Sequence, residues 1–140
     1  MEFVERIKAK AAQDIKTIVL PEAAEERNIK AANQILKEGF AKLVLIGNPD
    51  EIHHLASEYY LDQIDKAVIV DPLNNPKKEE YIELMLKLRA SKGLTREQAE
   101  KLIVDPLYLG ALMVKNGDVD GEVAGANNAT GDVLRPAFQY

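Results

Sequence analysis

Cysteine is absent from this sequence of 140 residues. That excludes disulfides, thiolate metal sites and a cysteine nucleophile. Long hydrophobic runs are absent too. The longest, such as Leu43–Ile46 and Ala67–Val70, fall far short of a membrane span. Positive charge is in deficit, with 18 Lys and Arg against 23 Asp and Glu and a net charge of −5. This argues against a broad nucleic-acid surface while leaving room for one local basic site. There is no GxGxxG and no GxxxxGK[ST], which counts against a standard dinucleotide fold or a P-loop NTPase. The acidic start Met1–Glu5 lacks the basic head and apolar stretch of a secretory signal.

With 46% hydrophobic and 29% charged residues, the composition is that of a soluble globular protein, expected in the cytoplasm with no membrane partner. Phe3, Val4, Ile7 and Ala11 are spaced as one helical stripe. Thr17–Leu20 is a compact apolar run that Pro21 stops. Glu22–Lys37 reads as a helix, with three glutamates (Glu22, Glu25, Glu26) where the helix dipole favours negative charge, and with Gly39 as its C-cap. The pattern then repeats. Lys42–Gly47 is a strand, and Asn48-Pro49 opens a helix through Tyr59. Lys66–Val70 is a third strand, and Lys77–Ser91 is a long amphipathic helix. Thr95 and Gln98 form a capping box for a helix running toward Val104. Asp105-Pro106 breaks it, and a further helix runs through Leu107–Lys115. Val119–Ala126 is expected as a strand, Asn127–Asp132 as a small polar loop, and a last helix is entered near Pro136. Strands apolar on both faces that alternate with helices imply an α/β fold, a parallel sheet with helices on both faces.

Ligands of open α/β sheets bind at the carboxyl ends of the strands. The richest of those loops is Ala126–Asp132. Gly121, Gly125 and Gly131 permit close backbone approach, and Asn127, Asn128 and Thr130 offer neutral hydrogen-bonding groups. Arg135, the only cation after Lys115, follows directly. Small residues at a helix start beside one arginine suit a phosphate or another anion. The same residues also make a tight turn with a surface ion pair. Lys87, Arg89 and Lys92 close a helix, either as dipole partners or as a clamp for a polyphosphate. His53 and His54 are adjacent and cannot share a metal by spacing, so no metal site is expected. Glu22, Glu25 and Glu26 are read as dipole partners rather than acid–base groups. Asp118 and Asp120 sit at the amino end of a strand and are read as turn residues.

Three segments carry a resemblance. Ile18–Arg27, Leu86–Thr95 and Met113–Ala126, the last continued by Thr130–Ala137, resemble phosphate acetyltransferases (phosphotransacetylases) in order along the whole chain. The resemblance implies transfer of an acetyl group between acetyl phosphate and coenzyme A, with coenzyme A as a substrate and no resident cofactor. It also implies two α/β domains around a cleft, a fold related to isocitrate and isopropylmalate dehydrogenases, and a homodimer when full length. Arg89 and Arg135 match family positions implicated in binding coenzyme A or the phosphoryl substrate, with Asn128 and Thr130 beside them. Two positions depart from the family pattern. Glu122 stands where an apolar residue is usual, which predicts an edge or a polar contact, and Asn127-Asn128 replaces a His- or Thr-containing loop start. Chains of the family are much longer, and their catalytic Ser, Arg and Asp lie in the later half. Residues 1–140 are therefore expected to be a truncated, inactive amino-terminal portion, with catalytic residues unknown here. The competing expectations are a phosphate butyryltransferase-like enzyme and a non-catalytic module that binds coenzyme A or an anion, or mediates assembly.

Overall fold

The computed structural model describes residues 2–140, so Met1 of the acidic start lies outside the described residues. Two apolar runs form the middle of a sheet, β1 at Lys16–Leu20 and β2 at Ala41–Ile46. β3 spans Val68–Val70 and β4 spans Gly121–Glu122. The order is β3-β2-β1-β4 with every pairing parallel. In register, Val19 lies between Val44 of β2 and Glu122 of β4.

Side chains alternate across the two middle strands, so each strand feeds two cores. Val19, Val44 and Ile46 point to one layer, built from α4 (Lys78–Arg89), α5 (Arg96–Leu102) and α6 (Pro106–Lys115). Tyr81, Ile82, Met85, Leu109 and Leu112 fill it. Leu20, Leu43 and Leu45 point to the opposite layer, built from α2 (Glu26–Glu38) and α3 (Pro49–Glu58), where Ile29, Ala32 and Ile52 are fully buried. This is the expected α/β architecture with both faces covered. α1 (Phe3–Gln13) forms on its predicted stripe but buries no residue. α7 (Thr130–Gln139) packs along α6. Among the described residues, no helix is long and apolar enough to cross a membrane.

The local signals act as their chemistry requires. Asn48 Oδ1 accepts from Glu51 N–H at 3.1 Å, with Pro49 at the first helical position of α3. Both halves of the Thr95–Gln98 capping box are present. Gly39 ends α2 at φ +74°, in the left-handed region.

Five boundaries differ from the sequence expectation. α2 begins at Glu26 behind an N-cap at Glu25, which leaves Glu22 outside the helix. β4 is two residues long rather than reaching Ala126. Val123 N–H still reaches Val19 C=O, but the amides from Gly125 onward turn to a side chain and the ladder stops. α7 begins at Thr130, not near Pro136, which lies inside the helix. α4 ends at Arg89 and tightens into a 3-10 turn over Ala90–Lys92. A second 3-10 turn over Ile64–Lys66 delays β3 to Val68.

Candidate functional site

The chain runs outward from β1 through β2 to β3, then returns past β1 to β4. That reversal opens a crevice at the carboxyl ends of β1 and β4, where open α/β sheets take their ligands. Pro21 ends β1 there, and the next residue, Glu22, is only 7% exposed. The segment after β4 meets it. Glu22 Oε1 accepts from the backbone N–H groups of Gly125 (2.6 Å) and Ala126 (3.0 Å). Glu22 Oε2 accepts from Asn127 N–H (2.7 Å) and Asn128 Nδ2 (2.8 Å). Gly125 stands at φ +119°, which only glycine adopts readily, and it turns successive N–H groups inward. Such a run of amides is an anion cradle. Here the anion is the protein's own carboxylate. Burial by itself raises the Glu22 carboxyl, but its four donors outweigh burial and hold it below the ordinary glutamate range.

A second tie comes from α2. Arg27 Nη2 donates to Ala126 C=O at 2.7 Å, while its Nε donates to Glu25 Oε1 at 2.8 Å. Glu25 Oε2 caps α2 through Asn28 N–H at 3.0 Å, and Asn28 Nδ2 donates to Glu22 C=O at 3.0 Å. Residues 22–28 thus form one hydrogen-bonded frame against the loop after β4. Glu22 is not the dipole partner expected from sequence; Glu25 takes that place as the N-cap.

A cleft of about 240 Å³ opens beside this frame. Glu22, Glu25, Glu51 and Asp105 are among its lining residues, so that wall is acidic, while Asn127 and Asn128 line it with neutral groups. Cations lie elsewhere. Arg89, at the end of α4, borders a groove of about 450 Å³ together with Lys92, Gln98, Lys101 and Tyr108. Its guanidinium lies 5.9 Å from the ring centroid of Tyr140, the residue that closes α7. Arg135 projects from α7 with its side chain 56% exposed, and its Nη1 is 3.2 Å from Asp132 Oδ1. Thr130 is the exposed first residue of the same helix. α7 is therefore the element that both arginines share: Arg135 belongs to it and Arg89 packs at its end. Asn128 is exposed overall yet spends one amide hydrogen on Glu22.

The remaining candidates are structural. His53 and His54 lie exposed on α3. Asp118 accepts from Tyr81 Oη at 2.5 Å, from Lys77 Nζ at 2.7 Å and from Asn116 Nδ2 at 2.9 Å. Asp120 Oδ2 accepts from Thr17 N–H at 2.8 Å, tying the amino ends of β1 and β4. Glu122 stands on β4, which ends the sheet among the described residues. Burial first, and the Glu22 carboxylate second, push its carboxyl up to about 7. Sequence reasoning missed the Glu22 and Arg27 ties, because their partners lie about 100 residues away and no spacing rule connects them.

A sequence model of the family described as Phosphate acetyl/butaryl transferase matches residues 2–140. Two curated relatives named phosphate acetyltransferase are similar over 99% of the chain. The one from Acetivibrio thermocellus is 51% identical, and the one from Thermoanaerobacterium thermosaccharolyticum is 50% identical. The chain spans 41% and 42% of their respective lengths. A solved phosphotransacetylase from Streptococcus pyogenes superposes with a TM-score of 0.92 at 30% identity, over 99% of this chain and 43% of that one. A phosphotransacetylase from Staphylococcus aureus superposes with a TM-score of 0.88 at 32% identity, over 97% of this chain and 41% of that one.

Proposed function

The chain belongs to the phosphate acetyl/butaryl transferase family, and on that premise we propose that it forms the amino-terminal α/β portion of a phosphate acetyltransferase. The enzyme moves an acetyl group between acetyl phosphate and coenzyme A. The observation that carries this reading is the groove at Arg89, where three cations gather beside α7 in an otherwise acidic protein. Arg89, Lys92 and Lys101 line it, and Arg135 lies on the adjoining helix.

In the proposed reaction the coenzyme A thiol loses its proton to a base. The thiolate attacks the acetyl carbonyl, and preorganised donors hold the developing oxyanion. Phosphate leaves with its charge held by arginine. No acyl-enzyme is needed, because holding both substrates in one cleft supplies much of the rate. Residues 1–140 contribute binding to this scheme. Arg89 and its neighbours take the phosphates of coenzyme A, and Arg135, Thr130 and the free amide hydrogen of Asn128 take the phosphoryl end. The base and the oxyanion donors belong to a segment outside these residues. Coenzyme A enters as a substrate, and the complete enzyme works as a homodimer in the cytoplasm.

Steady-state kinetics test the proposal. In the enzyme that carries this chain, Arg89→Ala and Arg135→Ala are expected to raise KM for coenzyme A or acetyl phosphate about tenfold, the value of one charge-assisted contact. Unchanged KM for both substrates removes the arginine assignment. The purified 140-residue chain is expected to show no acetyl transfer, and clear turnover by it overturns the division of labour.

A further inference from the structure

We infer that Glu22, supported by Arg27, is a positioning residue: it fills the anion cradle of the loop after β4 and so sets where α7 presents Thr130 and Arg135. This rests on the proposed role of those two residues as substrate contacts.

The cradle lies at the point where the strand order reverses, the crevice in which a phosphate would ordinarily be met by loop amides. Three consecutive N–H groups, of Gly125, Ala126 and Asn127, converge there with the Asn128 amide. All four donate to one buried carboxylate, so a substrate phosphate cannot reach those amides while Glu22 is in place. The substrate anion is left to the cations beyond. The same occupancy fixes the loop. Ala126 is held from both sides, its N–H on Glu22 and its C=O on Arg27. Asn28 pins the Glu22 backbone through its C=O, so the carboxylate cannot drift with the loop. Only Ala129, the N-cap of α7, separates this held segment from Thr130. A helix is stiff, so an error in its origin is carried to every residue along it. Arg135 sits five residues on, within two turns. Glu25 completes the frame by orienting Arg27 and capping α2.

The test uses the 140-residue chain with Glu22→Gln and Arg27→Ala, read by amide hydrogen exchange and by acetyl phosphate titration. Glu22→Gln keeps the shape but removes the charge, and it turns an NH₂ toward one pair of donors. Exchange at Gly125–Asn127 is expected to accelerate about tenfold, with Leu45 and Ile46 of β2 unchanged. Acetyl phosphate affinity is expected to fall about fivefold in parallel, since a displaced Arg135 loses a charge-assisted contact. Arg27→Ala alters an exposed side chain, so it keeps the fold, and it is expected to reproduce both effects more weakly. Faster loop exchange with unchanged acetyl phosphate affinity overturns the positioning role alone. Unchanged loop exchange overturns the clasp itself. An unmutated chain that does not bind acetyl phosphate overturns the substrate reading, and the positioning role falls with it.

Discussion

Gly110 in α6 faces Glu122 in β4 so closely that a Cβ on Gly110 would stand 2.5 Å from Glu122 Oε1 and 3.6 Å from Pro21 Cβ. Absence of a side chain at Gly110 is thus what lets a carboxyl sit against the helix. Gly110→Val is expected to cost about 1–3 kcal/mol through overpacking, because the carboxyl must swing away and a branched Cβ crowds the helix. Urea unfolding measures this, and a variant as stable as the parent shows that the carboxyl moves freely.

Glu122 carries a pH dependence whose sign follows from its environment. Its carboxyl titrates near 4.5 when unperturbed, and burial, then the charge on Glu22, push it to about 7. The folded chain therefore holds this proton more tightly than the unfolded chain. Its stability is greatest below the unfolded value, declines as pH rises, and reaches its full loss above pH 7. Glu122→Gln is expected to raise the urea midpoint at pH 8 and to leave it nearly unchanged at pH 4. Equal gains at both pH values contradict the assignment.

Asp118 behaves oppositely. Burial pushes its carboxyl up, but Asn116, Lys77 and Tyr81 outweigh burial and hold it below the ordinary aspartate range. Its contribution is present above the unfolded value and is lost as pH falls through the folded one. Tyr81→Phe removes the 2.5 Å hydroxyl donor. It is expected to cost about 1–2 kcal/mol at pH 7, and less at pH 2. Paired denaturation curves at the two pH values decide it.

The capping box of α5 lies beside the Arg89 groove, since Gln98 belongs to both. Thr95→Ala is expected to destabilise the chain by about 1 kcal/mol, the usual value of an N-cap. A thermal midpoint that does not move shows that the first turn of α5 is held by packing instead.

Lys101 also lines that groove, but it lies 3.8 Å from Glu97 and is largely exposed. Lys101→Ala is expected to weaken coenzyme A binding less than Arg89→Ala, by about twofold. The difference from the parent should shrink in about 0.5 M salt, where exposed charges are screened. Titrations at two salt concentrations test both points.

The parts legible from sequence are those whose causes are local. Asn48-Pro49, Thr95 with Gln98, and Gly39 act within a few residues, and each sits where its chemistry places it. The α/β class was equally legible, because two-sided burial leaves continuous apolar strands. Strand order was not, since nothing in Val119–Gly125 says that it pairs with β1 rather than with β3. Nor was the length of β4, which is set by Glu22 drawing the following amides off the ladder. Glu22 reads as one of three similar glutamates until its four distant donors are in view. Arg89 and Arg135 stood out on charge alone, but the Tyr140 ring beside Arg89 depends on how α7 packs.

The sheet order also governs how this chain emerges during synthesis. β1 can pair with β2 as soon as residue 46 is free, but its other edge must wait for residues 121–122. At roughly 5–20 residues per second, that wait is about 4–15 seconds. Throughout it, an apolar strand, Ile18-Val19-Leu20, offers unpaired backbone groups to any neighbour. Crowded nascent chains are therefore most exposed to mispairing at β1, a middle strand that stays half-paired until β4 arrives.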